Sequence, residues 1–462
     1  MSPQLATILG LVVMFVVATV LPINMGALAL AMAFLIGTTL VGMTANQIIA
    51  GFPGDLFITL VGITYLFAIA QKNGTIDYLV HWAVRAVRGR VAAIPWVMFA
   101  VAAALTAVGA VSPAAVAILA PVALQFAAKY AISPLMIGLL VIHGAQGGGF
   151  SPISIYGGIT NQVVARAGLP VDETTLFLAS LFYNFAVSVG VFFAFGGRAL
   201  LSRRVGVPAA ARAGAGGQAA GGQAAGGRIE TSLPIEGHGT AADASLTAAT
   251  VRAASATEED TPKPANFEQI ATLVGLAALA VGALVFNLNV GLVAITVAVA
   301  LALLSPTAQK GAVDKIGWST VLLVGGVITY VGVLQKSGAV DAVSQGVSGL
   351  GTPLLAALLL CYIGGVVSAF ASSVGVLGAI IPLAVPFLQQ GTVEPAGLIA
   401  ALAISATVVD VSPFSTNGAL VVANAPDGER ESLYRRFLLY SILVVLAGPL
   451  LAWLVLVLPG WV

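Results

Sequence analysis

Charge is what this chain has least of. Only 8% of its 462 residues are Asp, Glu, Lys or Arg, against 59% apolar, a balance that soluble domains of this length do not show. One cysteine excludes a disulfide framework and a cysteine metal cluster. That residue, Cys361, lies in an apolar run and reads as a small packing side chain. There is no basic run to meet nucleic acid and no phosphate-binding loop for a nucleotide-driven pump. Nor is there a His-Glu-x-x-His, a pair of acids or a Gly-x-Ser-x-Gly, so the sequence does not read as an enzyme and asks for no cofactor. What remains is an all-α polytopic membrane protein. The first apolar stretch lacks a basic flank and apolar sequence resumes at once, so it reads as a retained first span rather than a cleaved signal.

One segment is plainly polar. Residues 206–266 are rich in Gly, Ala and Gln without apolar periodicity, which predicts a disordered linker. It separates two membrane halves, 1–205 and 267–462, and these repeat each other. "QKNGTID" at Gln71 matches "QKSGAVD" at Gln335, an offset of 264, and "NMG" at Asn24 matches "NVG" at Asn289, an offset of 265. Ser112 aligns with Ser373, Pro121 with Pro382, and "SPIS" at Ser151 with "SPFS" at Ser412, all at 261. Ordered matches at nearly constant offset indicate a tandem duplication.

Each half carries five apolar spans, near 4–21, 24–43, 55–72, 134–165 and 174–197, then near 267–286, 289–306, 316–335, 396–424 and 433–458. Between the third and fourth of each set lies a longer apolar piece, 91–130 and 353–390, broken at "GAVSP" and at "FASSVG". Each reads as a re-entrant hairpin with a polar tip. Five crossings are an odd number, so the halves are expected to be inverted relative to each other. With the N-terminus outside, thirteen Lys and Arg in the inner segments and four in the linker account for 17 of the 19, leaving Arg166 and Lys336 outside. That bias fits the positive-inside rule and predicts both termini outside, with the linker in the cytoplasm. The basic arm "TIDYLVHWAVRAVRGR" and its duplicate "AVDAVSQGVSGLG", which has no basic residue, both read as amphipathic helices at opposite membrane surfaces.

The fourth span of each half, 134–165 and 396–424, contains helix breakers at mid-depth: "GGGFSPISIYGGITN" in the first and "DVSPFSTNGALVVANA" in the second. Ser is a favoured N-cap and Pro a favoured first helical residue, so Ser112-Pro113, Ser151-Pro152 and Ser412-Pro413 are each expected to start a helix inside the membrane. Such starts offer unpaired N–H groups and a positive dipole end to an anion. Irregular backbone at that depth requires protein or a water-filled cavity around it. A binding site at the bilayer midplane is the function these breaks point to. No Lys or Arg lies beside them, so an anionic ligand would be held by hydroxyls, amides and backbone, with a co-bound cation balancing its charge. Asp410, directly before the second Ser-Pro, could carry a proton, bind Na⁺ or serve structure. His143, before the first Gly run, reads as a buried neutral histidine with a backbone partner, or as a proton-coupling group.

"GAQGGGFSPISIYGGITNQ", "YLFAIAQKNGTIDYLV", "IPWVMF" and "SPFSTNGALVVANAP" resemble the malonate/dicarboxylate carrier proteins of the MatC type, over nearly the whole chain apart from the linker. That family is similar in organisation to the divalent anion/Na⁺ symporters of the ion transporter superfamily. The resemblance implies uptake of a small dicarboxylate such as malonate, driven by Na⁺ or H⁺, through the plasma membrane. It also implies a homodimer with a fixed scaffold and an elevator-like moving domain. In those symporters two hairpin tips bearing Ser-Asn-Thr meet two unwound helices at the substrate. Here the tips read Val111-Ser112-Pro113 and Ser372-Ser373-Val374, without the Asn and Thr, and part of their role is expected to pass to Asn161 and Asn417. The expected substrate ligands are therefore Ser112, Ser151, Ser154, Thr160, Asn161, Ser372, Ser373, Ser412, Ser415, Thr416 and Asn417. Coupling-cation ligands are expected from Asp410, Ser112, Gly148, Asn161, Ser373 and Asn417. Two readings compete with malonate uptake: Na⁺/H⁺ antiport through Asp410 without organic substrate, and carriage of another acid such as succinate or citrate.

Overall fold

The computed structural model of the chain describes residues 2–21, 23–85, 90–170, 172–203, 264–339, 342, 353–370, 373–388, 393–426 and 428–460. The expected 206–266 linker lies outside them except for 264–266, as do Ser372 and most of the second arm. Every element among the described residues is helical. Eight stretches are long and apolar enough to cross a membrane: Pro3–Val20, Gly54–Lys72, Ser112–Tyr130, Glu173–Ala194, Phe267–Leu284, Trp318–Lys336, Pro395–Ala423 and Arg430–Leu456. This is a multi-pass membrane protein. Two expected spans are shorter than the sequence suggested. The helix within 24–43 is Met25–Thr39 and that within 289–306 is Val290–Leu304, each of 15 residues and so about 22 Å long.

Those two short helices are held by glycine. Met25–Thr39 packs on Trp318–Lys336, and Val290–Leu304 on Gly54–Lys72. A Cβ on Gly26 would lie 1.9 Å from the Leu322 carbonyl oxygen, and one on Gly326 would lie 2.0 Å from that of Gly26. In the other pair, a Cβ on Gly62 would lie 2.5 Å from the Gly291 oxygen, and one on Gly291 would lie 2.6 Å from Thr59 Cα. The duplication relates Gly26 to Gly291 and Gly62 to Gly326, so the same backbone-to-backbone contact is made twice with the halves exchanged. Hydroxyl contacts repeat the exchange. Thr7 meets Ser337 at 2.9 Å, and their duplicates Thr272 and Asn73 meet at 2.7 Å. Small residues at such crossings let packing and short polar contacts hold helices that lipid would otherwise solvate equally well.

Both expected hairpins are pairs of helices, Ala93–Ala107 with Ser112–Tyr130 and Pro353–Phe370 with Ser373–Leu388. Both fourth spans are broken, Pro134–Gly148 then Ile155–Arg166, and Pro395–Val408 then Thr416–Ala423. The first limb of each hairpin packs on the first piece of its own broken helix; the second limb packs on the second piece of the other half's broken helix. Thus Ser112–Tyr130 lies on Thr416–Ala423, and Ser373–Leu388 on Ile155–Arg166. Each tip is delivered to the opposite break. Cys361 is fully buried, in keeping with a packing role.

Candidate functional site

The two breaks have one local design. In each, Ser-Pro-x-Ser is a β-turn with the proline second, where its fixed φ suits the turn. The Ser154 N–H donates to the Ser151 carbonyl at 2.9 Å, and the Ser415 N–H to that of Ser412 at 3.0 Å. The fourth residue then begins the helix: Ser154 caps Ile155–Arg166, accepting from the Gly157 N–H at 3.2 Å, and Ser415 precedes Thr416–Ala423. Its hydroxyl also reaches back across the turn, Ser154 to the carbonyls of Gly149 and Ser151, Ser415 to those of Asp410 and Ser412. The expectation that Ser151 and Ser412 cap the helices is therefore corrected by three residues. The proline is used by the turn, and the helix starts where the turn ends. At the first hairpin the shift is one residue: Ser112 is the first helical residue and Val111 the N-cap.

At the second break three elements meet through one amide. Asn417 Nδ2 donates to Ser112 Oγ at 2.8 Å and to Asp410 Oδ2 at 2.8 Å. Because a carboxylate only accepts, it fixes which way the amide faces. Ser415, whose hydroxyl donates to the Asp410 backbone carbonyl at 2.7 Å, and Ser373, at the second hairpin tip, are polar neighbours of Asp410. Ser368 Oγ donates to the Ala406 carbonyl and lies 3.0 Å from Ser373 Oγ, within hydrogen-bond distance. Tyr156, from the first break, faces Ser112 and Asp410. Asp410, Ser112, Ser373, Tyr156 and Asn417 are all buried. Ser112 has accepted from Asn417 and retains its own proton to offer a ligand. Helix N-termini arrive here from Ser112–Tyr130, Ser373–Leu388, Ile155–Arg166 and Thr416–Ala423, so the local backbone favours an anion.

Other expected residues lie elsewhere. Thr160 and Asn161 are not unwound; they stand inside Ile155–Arg166, six residues from the helix start for Asn161. Their buried Oγ1 and Nδ2 atoms have no hydrogen-bond partner. Thr416 begins its helix but is exposed, whereas Asn417 is buried. Ser151 donates to the Ala107 carbonyl and so ties the first turn to the first hairpin, while Ser412 Oγ accepts from the Phe414 N–H at 3.2 Å. Gly148 is a contact between backbones: Cβ atoms on Gly144 and Gly148 would lie 2.3 and 2.0 Å from the carbonyl oxygens of Phe99 and Ala103. Tyr156 and Ser368 were not anticipated. The 261-residue offset, applied strictly, would have flagged Tyr156, because it falls on Asn417.

His143 corrects another expectation. Its partners are side chains and not backbone: Asn184 Oδ1 at 3.0 Å on Nδ1 and the Tyr440 hydroxyl at 2.9 Å on Nε2. Asn184 in turn donates to the Ser180 carbonyl at 3.0 Å, and Ser180 to that of Gln146 at 3.2 Å. The ring ties the first broken helix to Glu173–Ala194 and Arg430–Leu456. Among the described residues, His143 and Asp410 are the buried members of the His, Asp, Glu, Lys and Arg set.

Residues 1–149 match the family described as the dicarboxylate carrier protein MatC N-terminus. The first third of the chain is thus similar to that family's N-terminal region. The matched region holds the first hairpin and the first piece of the first broken helix, and it ends at Gly149, where the helix breaks. Among solved structures the chain is similar to the YdaH transporter of Alcanivorax borkumensis, described as having an unusual topology. Identity is 15%, coverage is 88% of this chain and 87% of that one, and the TM-score is 0.56. At that identity the likeness shows a common fold. No curated protein matches the sequence.

Proposed function

We propose that this chain is a secondary transporter that takes up a small dicarboxylate, malonate first, driven by an ion gradient. The observation that carries the proposal is the meeting of the first hairpin tip with the second break through Asn417, in a chain whose first third matches a dicarboxylate carrier family. The substrate lies among Ser112, Ser373, Tyr156 and Asn417, where four helix N-termini face it. No buried Lys or Arg is present among the described residues to balance two carboxylates, so a cation enters with the substrate. The halves are inverted in the bilayer, a reading supported by the exchanged glycine and hydroxyl contacts and by the odd number of expected crossings. The bias of positive charge supports a cytoplasmic 206–266 linker with both termini outside the plasma membrane. The hairpins and broken helices form a body that moves as an elevator against the helices joined at Gly26 and Gly62, in a homodimer.

Alternating access follows from the polar balance. With both carboxylates and the cation held by hydroxyls, amide and helix ends, the cation and the positive helix N-termini offset much of the anion's charge, and the loaded site can cross the apolar zone. With the anion bound alone, the site would carry uncompensated charge at a cost of several kcal/mol. Coupling is thus a consequence of burying the anion. Labelled-malonate uptake into proteoliposomes, with Na⁺ and pH gradients imposed separately, tests the proposal. Concentrative uptake under one of them is the expected result. Sodium–proton exchange in the absence of any dicarboxylate, with no malonate uptake, would establish the antiporter reading that Asp410 also suits.

A further inference from the structure

The two hairpins sit differently against the helices beside them. In the second half, Ser373–Leu388 packs directly on Trp318–Lys336. A Cβ on Gly375 would meet Leu323 Cδ1 at 3.3 Å, and one on Gly378 would meet Val327 Cγ1 at 3.4 Å. Gly375, Val376 and Ala379 are all buried there. At the 261-residue offset they fall on Ala114, Ala115 and Ile118 of the first hairpin. In that half Ala114 is exposed and Ile118 is only half-buried.

A cavity of about 110 Å³ takes the place of the packing, with room for several water molecules. Thr64, Phe67 and Gln71 line it from Gly54–Lys72, and Val111, Ala114 and Ile118 from the first hairpin. Thr64 to Gln71 is two helical turns, so the cavity runs about 10 Å along that helix. The hairpin tip closes its inner end, where a Cβ on Gly109 would lie 2.8 Å from Ile63 Cγ2. Val111, at that end, is the neighbour of Ser112 in the proposed substrate site. Gln71, at the other end, is exposed.

Of the residues lining this cavity, Lys315 alone is charged. It comes from the Val313–Lys315 turn, packed on the same helix, and is exposed. It makes no ion pair among the described residues, whereas Lys72 nearby is spent on the Lys310 carbonyl. A single cation between apolar walls focuses its field along the opening. The offset of 264 that pairs Gly62 with Gly326 places Gly51 opposite Lys315, so the other half has no such charge.

We propose that this cavity is the vestibule between the cytoplasm and the substrate site, and that Lys315 draws a carboxylate of the substrate into it. The proposal rests on the dicarboxylate reading and the topology above and adds a residue that acts on one face of the membrane only.

Ala114→Cys in inside-out and right-side-out membrane vesicles tests this, with impermeant thiol reagents carrying either a sulfonate or a trimethylammonium group. The parent chain, whose Cys361 is buried, gives the blank. Labelling is expected from the cytoplasmic face alone. At low salt the sulfonate-to-ammonium rate ratio should fall about threefold or more when Lys315→Gln is added, and return with Lys315→Arg. If Ala114→Cys does not fold, Ile118→Cys reports from the same wall. Labelling from outside, labelling from neither face, or a ratio that Lys315→Gln leaves unchanged would each overturn the proposal. Malonate exchange is measured from both faces in parallel. Lys315→Gln should raise the cytoplasmic half-saturation concentration severalfold and leave the outer one unchanged; equal changes on both faces would overturn the proposal. Absence of malonate transport, with the charge preference intact, would strike the dicarboxylate reading and leave an anion-drawing vestibule standing.

Discussion

The first and second breaks share a backbone and differ in chemistry. Both are Ser-Pro-x-Ser turns with the same serine hydroxyl bridging two carbonyls, and both need glycine where the following helix passes the turn. Around that frame the first break is uncharged, closed by Tyr156, and braced by His143 with its partners from two other helices. The second carries Asp410, and in place of His143 it has Ile404. Duplication supplied two copies of an unwound segment. One has a packed, neutral surround and the other holds the buried acid.

The strongest way to break this comparison is through its shared frame. Gly157→Ala and Gly418→Ala each drive a methyl into backbone that cannot retreat, 2.1 Å from a carbonyl oxygen. Both should destabilise by the upper end of the ~1–3 kcal/mol typical of overpacking, or more, read as a fall in melting temperature or loss of folded protein. A large effect in one half and none in the other would show that the two breaks do not have one design.

A smaller effect is expected where the halves differ. His143→Ile gives the first broken helix the residue its duplicate already has. It leaves Asn184 Oδ1 and the Tyr440 hydroxyl without their partner, at a cost of about 1–3 kcal/mol. Thermal melting should register that loss, while the sodium and pH dependence of uptake stays as in the parent. Loss of pH-driven uptake in a fully stable variant would instead make His143 a proton-coupling group.

The smallest effect should be favourable. Gly158 lies inside Ile155–Arg166 with open space where a Cβ would go, and its duplicate is Ala419. Gly158→Ala should stabilise by up to about 1 kcal/mol, the usual helix preference for alanine over glycine. A lower melting temperature would mean that the first break uses that open space.

Much of the architecture was legible because membrane burial makes its rules strict. The hairpins, the breaks and the outer helix boundaries fall within a few residues of where apolar runs and breakers placed them. What was not legible depended on competition between local signals. Ser151-Pro152 suits a helix start and a β-turn equally in sequence; the serine three residues later, Ser154, decides in favour of the turn. Thr160-Asn161 looks like Thr416-Asn417 as a dipeptide, yet the offset pairs Asn417 with Tyr156, and the offset reflects the fold. The His143 partners lie 41 and 297 residues away, with no periodicity to announce them. Close glycine crossings such as Gly26 on Gly326 were likewise silent, because any glycine in an apolar run looks the same until a backbone approaches it.

The most direct measurement is the malonate dissociation constant of the purified chain, of Ser112→Ala and Asn417→Ala, and of the double variant, by isothermal titration with melting as the control for folding. Ser112 belongs to the first half and Asn417 to the second, and one hydrogen bond joins them. If that junction holds the substrate, each single change weakens malonate binding by roughly tenfold or more, the value of a hydrogen bond to a charged ligand. The double variant then falls short of the product of the two, as residues sharing one contact do. A folded Ser112→Ala or Asn417→Ala protein with the parent's malonate affinity would contradict a substrate site built where the two halves meet.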